Sequence, residues 1–201
     1  ASGFIALIYP LVEKGIISPD KLLSCYSLTG YSGGGKKMIA EYEAEERDML
    51  LDAPRIYGLS QNHKHLKEMK AITGIENEPV FVPVVAPFYS GMLVSVPLFG
   101  EEINGTAEKI KNVYKEKYNW GMVSFKENVD EGGFLSAAAF SGSDSMKITV
   151  SGNDERITLV SEKNFGPAVA RNKGLVRARG KYVIFLDADD FYDATLIEKL
   201  Y

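Results

Sequence analysis

The chain has 201 residues, 45% of them hydrophobic, 25% charged and 11% aromatic, which is enough apolar material for one large domain or two small ones. Its net charge of −4 excludes the basic excess of a nucleic-acid or anionic-membrane binder, so neither partner is expected. A single cysteine rules out an internal disulfide framework, and no apolar stretch reaches the length of a bilayer span, which together suggest a cytoplasmic protein.

In chain order, apolar residues at Phe4, Ile5, Leu7, Ile8, Leu11 and Val12 carry helical spacing, with a stop at Gly15. Lys21 to Thr29 reads as a strand with Leu23, Cys25 and Ser27 on one face. Gly30 to Gly35 reads as a flexible loop and Lys36 to Leu51 as a helix with an acidic face. A short strand near Arg55 to Leu59 precedes a helix from Lys64 to Ile72. Two β-rich runs, VFVPVV and MLVSVPLF, fill residues 79–99, and a helix runs from Gly105-Thr106 to Tyr118. Strand-like pieces follow at Gly121 to Phe125, Phe134 to Phe140, Met146 to Val150 and Arg156 to Val160. Adjacent strands with few intervening helices favour an α+β fold with a largely antiparallel or mixed sheet.

The texture changes after Ser161. Six basic residues and no acidic ones lie between Lys163 and Lys181. A helix is expected over Ala168 to Arg179, a buried strand over Tyr182 to Leu186 and a last helix over Asp193 to Leu200, a short helix-strand-helix α/β piece. This places a domain boundary between residues 1–161 and 162–201.

Two segments of the first part carry chemistry. Ser27-Leu28-Thr29-Gly30-Tyr31-Ser32-Gly33-Gly34-Gly35-Lys36-Lys37 sets hydroxyls, free amides and two cations between a strand and a helix, an arrangement that can hold a phosphate or carboxylate; a plain glycine turn is the alternative. Tyr57 to Glu68 holds both histidines of the protein. His63 is a candidate general base with Glu68 near enough in sequence to orient it, whereas His65 reads as a solvated side chain at a helix start. Metal binding there is the weaker alternative, because no further Cys or His completes a ligand set.

The runs SGFIALIYPLVEKG, SLTGYSGGGKKMI, YGLSQNHKHLKE, VPVVAPFYSGMLVSVPL and GNDERITLVS, in that order, resemble N-acetyl-γ-glutamyl-phosphate reductases from Ala1 to about Ser161. These enzymes are relatives of glyceraldehyde-phosphate and aspartate-semialdehyde dehydrogenases. The resemblance implies a glyceraldehyde-phosphate-dehydrogenase-like C-terminal domain that binds an acyl-phosphate substrate and builds homo-oligomers. In that family, which serves arginine biosynthesis, a Cys thiolate attacks the acyl phosphate, a His manages the proton and NADPH delivers hydride. His63 and Glu68 match the family's His-x-His-x-x-Glu pattern; Ser32, Gly33 and Gly34 lie in its substrate loop, with Lys36 or Lys37 as the closing cation. The family's nucleophile falls immediately before the counterpart of Ala1, Cys25 does not replace it, and no Rossmann Gly-x-Gly-x-x-Gly is present for NADP. The chain is therefore expected to be inactive alone.

Residues 163–201 combine NFGPAVARNKG with GKYVIFLDADD and resemble family-two glycosyltransferases of the GT-A fold. That resemblance implies weak Mn²⁺ or Mg²⁺ binding by Asp187 and Asp189 and a donor-phosphate contact from Arg171; helix capping is the alternative for this acidic run. Two unrelated fragments joined abruptly suggest a chimera, engineered or rearranged, and an inactive scaffold is the reading that needs neither site.

Overall fold

A computed structural model describes residues 1–119, 121–127, 132–139, 141, 143, 145–163, 179–181, 183, 184 and 195. The chain divides into two compact units, Ala1–Gly166 and Pro167–Tyr201. In the first, seven strands form one sheet: β1 (Ser24–Gly30), β2 (Arg55–Ile56), β3 (Val80–Ala86), β4 (Met92–Phe99), β5 (Val123–Phe125), β6 (Met146–Gly152) and β7 (Arg156–Lys163). Their order is β2-β3-β1-β4-β7-β6-β5. The β1–β3 and β5–β6 pairs are parallel and the other four antiparallel, so the sheet is mixed and the fold α+β, as expected.

Among the described residues four helices accompany the sheet: α1 (Ser2–Glu13), α2 (Gly35–Glu43), α3 (His65–Thr73) and α4 (Ala107–Lys117). Phe4, Leu7, Ile8 and Leu11 recur at helical spacing and are fully buried, so α1 lies across β4 and β7 and also meets α3 and α4. Gly3 lets it come close: a Cβ there would stand 2.6 Å from Ser161 Oγ and 2.8 Å from a Val94 methyl. Thr106 caps α4 by accepting from the Lys109 N–H at 3.2 Å. Tyr114 and Tyr118 then donate their hydroxyls to the Leu7 and Ala6 carbonyls. The alternation read for β1 is present, with Leu23, Cys25 and Ser27 buried and Tyr26 exposed.

Several expectations are corrected. Gly30 to Gly35 is not a free loop; Tyr31–Gly34 forms a 3₁₀ turn pinned by Tyr31 N–H to Phe88 O (3.0 Å) and Ser32 N–H to Tyr89 O (2.9 Å). The helix expected to Leu51 stops at Glu43, and Met49–Asp52 is a separate 3₁₀ turn capped by Asp48. Glu41, Glu43, Glu45 and Glu46 crowd the end of that helix with no basic residue in its last turn, where the dipole disfavours anions. The strand near Arg55 covers only Arg55–Ile56. The two β-rich runs of 79–99 are strands as expected, β3 and β4, with β1 between them in the sheet. Phe134–Ala139 is not a strand: Ser136 takes its own turn bonds from Ala138 and Ala139, and Phe134 is exposed. The buried strand over Tyr182 to Leu186 fails at its two described positions, Val183 and Ile184, which are irregular and 44% and 51% exposed. The helices expected over Ala168 to Arg179 and Asp193 to Leu200 lie almost wholly outside the described residues. Among the described residues no helix is long and apolar enough to cross a membrane.

Candidate functional site

A cavity of about 380 Å³ opens at the start of α1, over one face of β1, β3 and the first residues of β4. Phe4, Met38, Met69, Met92 and Phe81 give it apolar walls, while Ser27, Thr29, Gly33, Gly34, His63 and His65 contribute polar atoms. A mostly apolar cleft with a few convergent polar groups suits a small organic ligand.

Strand β1 delivers Ser27 and Thr29 to this wall because its even pleat sends every second side chain inward. The chain then turns at Gly30, where a Cβ would meet the Phe88 and Tyr89 carbonyls at 2.7 and 2.6 Å. Glycine at that point lets the 3₁₀ turn fold back, so that Gly33 and Gly34 line the cavity. Ser32, Lys36 and Lys37 are not on its lining, and both lysines are exposed.

His63 sits on the wall with its ring edge-on to Phe81 at 5.2 Å and tilted against His65 at 4.7 Å. Its Nδ1 accepts the His65 backbone N–H at 3.2 Å. In the neutral ring the proton is therefore on Nε2, the nitrogen left for a ligand. Burial above all, with the Lys64 charge beside it, holds the His63 imidazole below its ordinary value. His65, read from sequence as solvated, is half-buried on the same wall, and burial with neighbouring positive charge brings it down to about 4. That is a correction: α3 begins at His65, and packing of Leu66 and Met69 draws the preceding turn inward. Glu68 is exposed and makes no contact with His63; its charge supports the Lys163 ammonium instead.

Cys25 is fully buried on β1, and burial pushes its thiol up to about 12, so it is no thiolate nucleophile. Sequence reasoning missed Tyr57, Gln61, Phe81 and Lys163. Lys163 ends β7 on the α1 side of the sheet, 4% exposed and hydrogen-bonded to Ser2 Oγ, with its ammonium brought down to about 7, chiefly by burial. Among the described residues no group of three or more His, Cys, Asp or Glu could hold a metal ion. Arg171, Asp187 and Asp189 lie outside the described residues.

Mixed sheet, covering helices and an apolar cleft with paired histidines together make an α+β domain whose cleft is of a size and lining suited to a small organic ligand. Residues 1–163 match the semialdehyde dehydrogenase, dimerisation domain family, and the chain belongs to that family. It is 34% identical over 168 residues to N-acetyl-gamma-glutamyl-phosphate reductase 2 of Nostoc sp., covering 76% of this chain and 51% of that one. With the N-acetyl-gamma-glutamyl-phosphate reductase of Rhizobium meliloti it shares 38% over 157 residues, covering 75% and 51%. The chain thus spans about half the length of the curated relatives it matches. In fold it is similar to aspartate semialdehyde dehydrogenase II from Vibrio cholerae (TM-score 0.56, 16% identity, 88% of this chain and 60% of that one). The aspartate semialdehyde dehydrogenase from Francisella tularensis is comparable (TM-score 0.57, 13% identity, 88% and 63%). Residues 145–201 also match glycosyl transferase family 2.

Proposed function

We propose that residues 1–161 are the substrate-binding and oligomerisation domain of an N-acetyl-γ-glutamyl-phosphate reductase, working in the cytoplasm on an acyl-phosphate substrate. The observation that carries this reading is that His63 and the Gly33-Gly34 turn line one cavity. In this role the exposed Gly33-Gly34 turn lets an anionic group approach the start of α2, where Lys36 and Lys37 add long-range positive charge. His63 donates from Nε2 to the reacting acyl oxygen, stabilising negative charge as it develops there. Glu68 acts at a distance, through Lys163. Apolar walls exclude water from the acyl group. NADP is the cofactor the relatives' chemistry calls for, but the described residues do not fit it. The run between β1 and α2 is not the Gly-x-Gly-x-x-Gly turn that seats a pyrophosphate, and its Tyr31 and Ser32 N–H groups are already taken by the Phe88 and Tyr89 carbonyls.

The test is a titration of the ¹³C,¹⁵N-labelled 201-residue chain with N-acetylglutamate semialdehyde, the reductase product. Saturable shifts are expected at His63, Gly33 and Gly34; an unperturbed His63 at millimolar ligand would overturn the reading. For oligomerisation, the sheet face opposite the helices exposes Tyr26, Val80 and Phe99 (50%, 57% and 59%), an apolar strip suited to a second copy. A monomer by light scattering at high concentration would remove that part.

A second reading is favoured by the match of residues 145–201 to a transferase family. Its first seventeen positions, 145–161, lie in β6, β7 and the turns that flank them, so we assign the transferase-like fragment to residues 162–201, which share the last two residues of β7. There Asp187 and Asp189 would bind Mn²⁺ or Mg²⁺ weakly and Arg171 a donor phosphate. Calorimetry with Mn²⁺ against an Asp187→Ala, Asp189→Ala variant tests this; identical isotherms would dispose of it.

A further inference from the structure

The segment between β2 and α3 reaches His63 along the free edge of β3. Strand pairing ends with Ile56 opposite Val84, and the Tyr57 N–H then donates to the Pro83 carbonyl at 3.0 Å. Beyond that point the main chain leaves the sheet through Gly58, in the left-handed region at φ 64°, and a turn closed by Gln61 N–H to Gly58 O at 3.0 Å. The ladder nevertheless continues for one more step, because a side chain takes the place of backbone. Gln61 Nε2 donates to the Phe81 carbonyl at 2.8 Å, and Gln61 Oε1 accepts the Phe81 N–H at 2.9 Å. A primary amide presents the same donor and acceptor as a peptide group, so it can satisfy both backbone atoms of one edge residue.

Phe81 is also the residue whose ring stands under His63. One β3 residue therefore fixes this segment twice: by its backbone through Gln61, and by its side chain through the imidazole two positions later. Gln61 itself has φ 55°, the only non-glycine residue with positive φ among the described residues. An L residue adopts that conformation rarely, and it persists where surrounding contacts over-determine it. Two hydrogen bonds to one backbone residue supply such a constraint.

We propose that Gln61 is a positioning residue for His63, its amide clamping the segment to the Phe81 backbone so that the imidazole is held over the Phe81 ring on the cavity wall. It acts through His63 and is itself absent from the cavity lining. The inference deepens the reductase reading and rests on it for the importance of His63, though not for the clamp.

The protein has two histidines, so each imidazole gives resolvable signals in the full chain. Long-range ¹H–¹⁵N spectra report the tautomer, and a pH titration reports each pKa. Wild-type His63 is expected as the Nε2–H tautomer, titrating below an ordinary histidine. Gln61→Met keeps length and removes both hydrogen bonds. We expect the His63 tautomer ratio to fall at least threefold, its pKa to move up towards the ordinary value and its ring-current shift from Phe81 to shrink, while α1 methyl signals stay in place. Gln61→Glu retains the acceptor for the Phe81 N–H and should give a smaller change; it is read alone if Gln61→Met does not fold. A folded variant with unchanged His63 signals overturns the proposal, as does one in which α1 methyls move as far as His63. If Gln61→Met moves His63 but the semialdehyde binds neither protein, the clamp stands and the reductase reading falls.

Discussion

The two sides of the sheet's central strands are held by different forces. Around β4, β6 and β7, α1 and α4 bury Phe4, Leu7, Ile8, Leu11, Ile110, Tyr114, Ile148 and Leu159 almost completely. Around β2 and β3 Phe81 still joins the main core, but a separate small cluster of Tyr42, Leu51 and Val85 sits beside it and directed bonds add order: the 3₁₀ turn on Phe88 and Tyr89, Gln61 on Phe81, Arg55 donating to the Tyr42 hydroxyl. The candidate site faces the cavity where these regimes meet. Dispersion and burial make a rigid floor, and hydrogen-bonded turns above it place polar atoms with direction that packing alone cannot supply.

If that division is right, truncation on the α1 side has the largest effect. Leu7→Ala removes a fully buried side chain between helix and sheet and should cost roughly 2–5 kcal/mol. Urea denaturation measures it, and a loss under ~1 kcal/mol would mean that α1 is not the keystone of the core. The same sequence patterns that specify this side made it legible. Helical spacing in Phe4 to Leu11, alternation in Leu23 to Ser27 and the Thr106 cap are local signals with one physical solution each. The other side was harder to read. Gly30 to Gly35 looks flexible by composition, and only partners far along the chain, at Phe88 and Tyr89, turn it into a fixed 3₁₀ turn. Gln61 has no spacing signature, because its partner is a backbone twenty residues away. His65 looked solvated since its burial depends on tertiary packing. The His63 and Gly33-Gly34 placements rested on family resemblance more than on any pattern within the chain.

Lys163 tests the α1 side from the opposite direction, as a charge within it. Burial, with Glu68 opposing, brings its amine down to about 7, whereas the unfolded chain binds that proton up to the ordinary lysine value near 10.5. Between these limits the unfolded state holds more protons, so the Lys163 contribution is fully present above about pH 10.5 and is lost as pH falls towards 7. Lys163→Met removes this slope and should raise stability at pH 7 by roughly 1–2 kcal/mol. Melting curves of both proteins between pH 6 and 10 would show the gap narrowing as pH rises; a constant gap would contradict the sign.

Tyr114→Phe deletes one hydroxyl from the same core, the donor to the Leu7 carbonyl at 2.5 Å. The ring stays, so only a buried hydrogen bond is lost, and about 1 kcal/mol is expected. Chemical denaturation of this variant fixes the scale against which the other region is judged.

The matching substitution on the turn-built side is Tyr31→Phe, and it should be the mildest of the four. The Tyr31 ring stacks on Tyr42 at 4.7 Å and meets Tyr89 edge-on at 5.6 Å, contacts that phenylalanine retains. What disappears is an exposed hydrogen bond to Glu43 at 3.3 Å, where water replaces the partner on both sides. The backbone bonds from Tyr31 and Ser32 to Phe88 and Tyr89 do not involve the hydroxyl, so the 3₁₀ turn keeps its place. Stability should change by no more than about 0.5 kcal/mol. Measured beside Tyr114→Phe in one urea series, the pair isolates the same chemical deletion in the two regions. Equal losses would mean that the Tyr31 hydroxyl does more than face solvent, and the contrast between a packed floor and hydrogen-bonded turns would fail at this position.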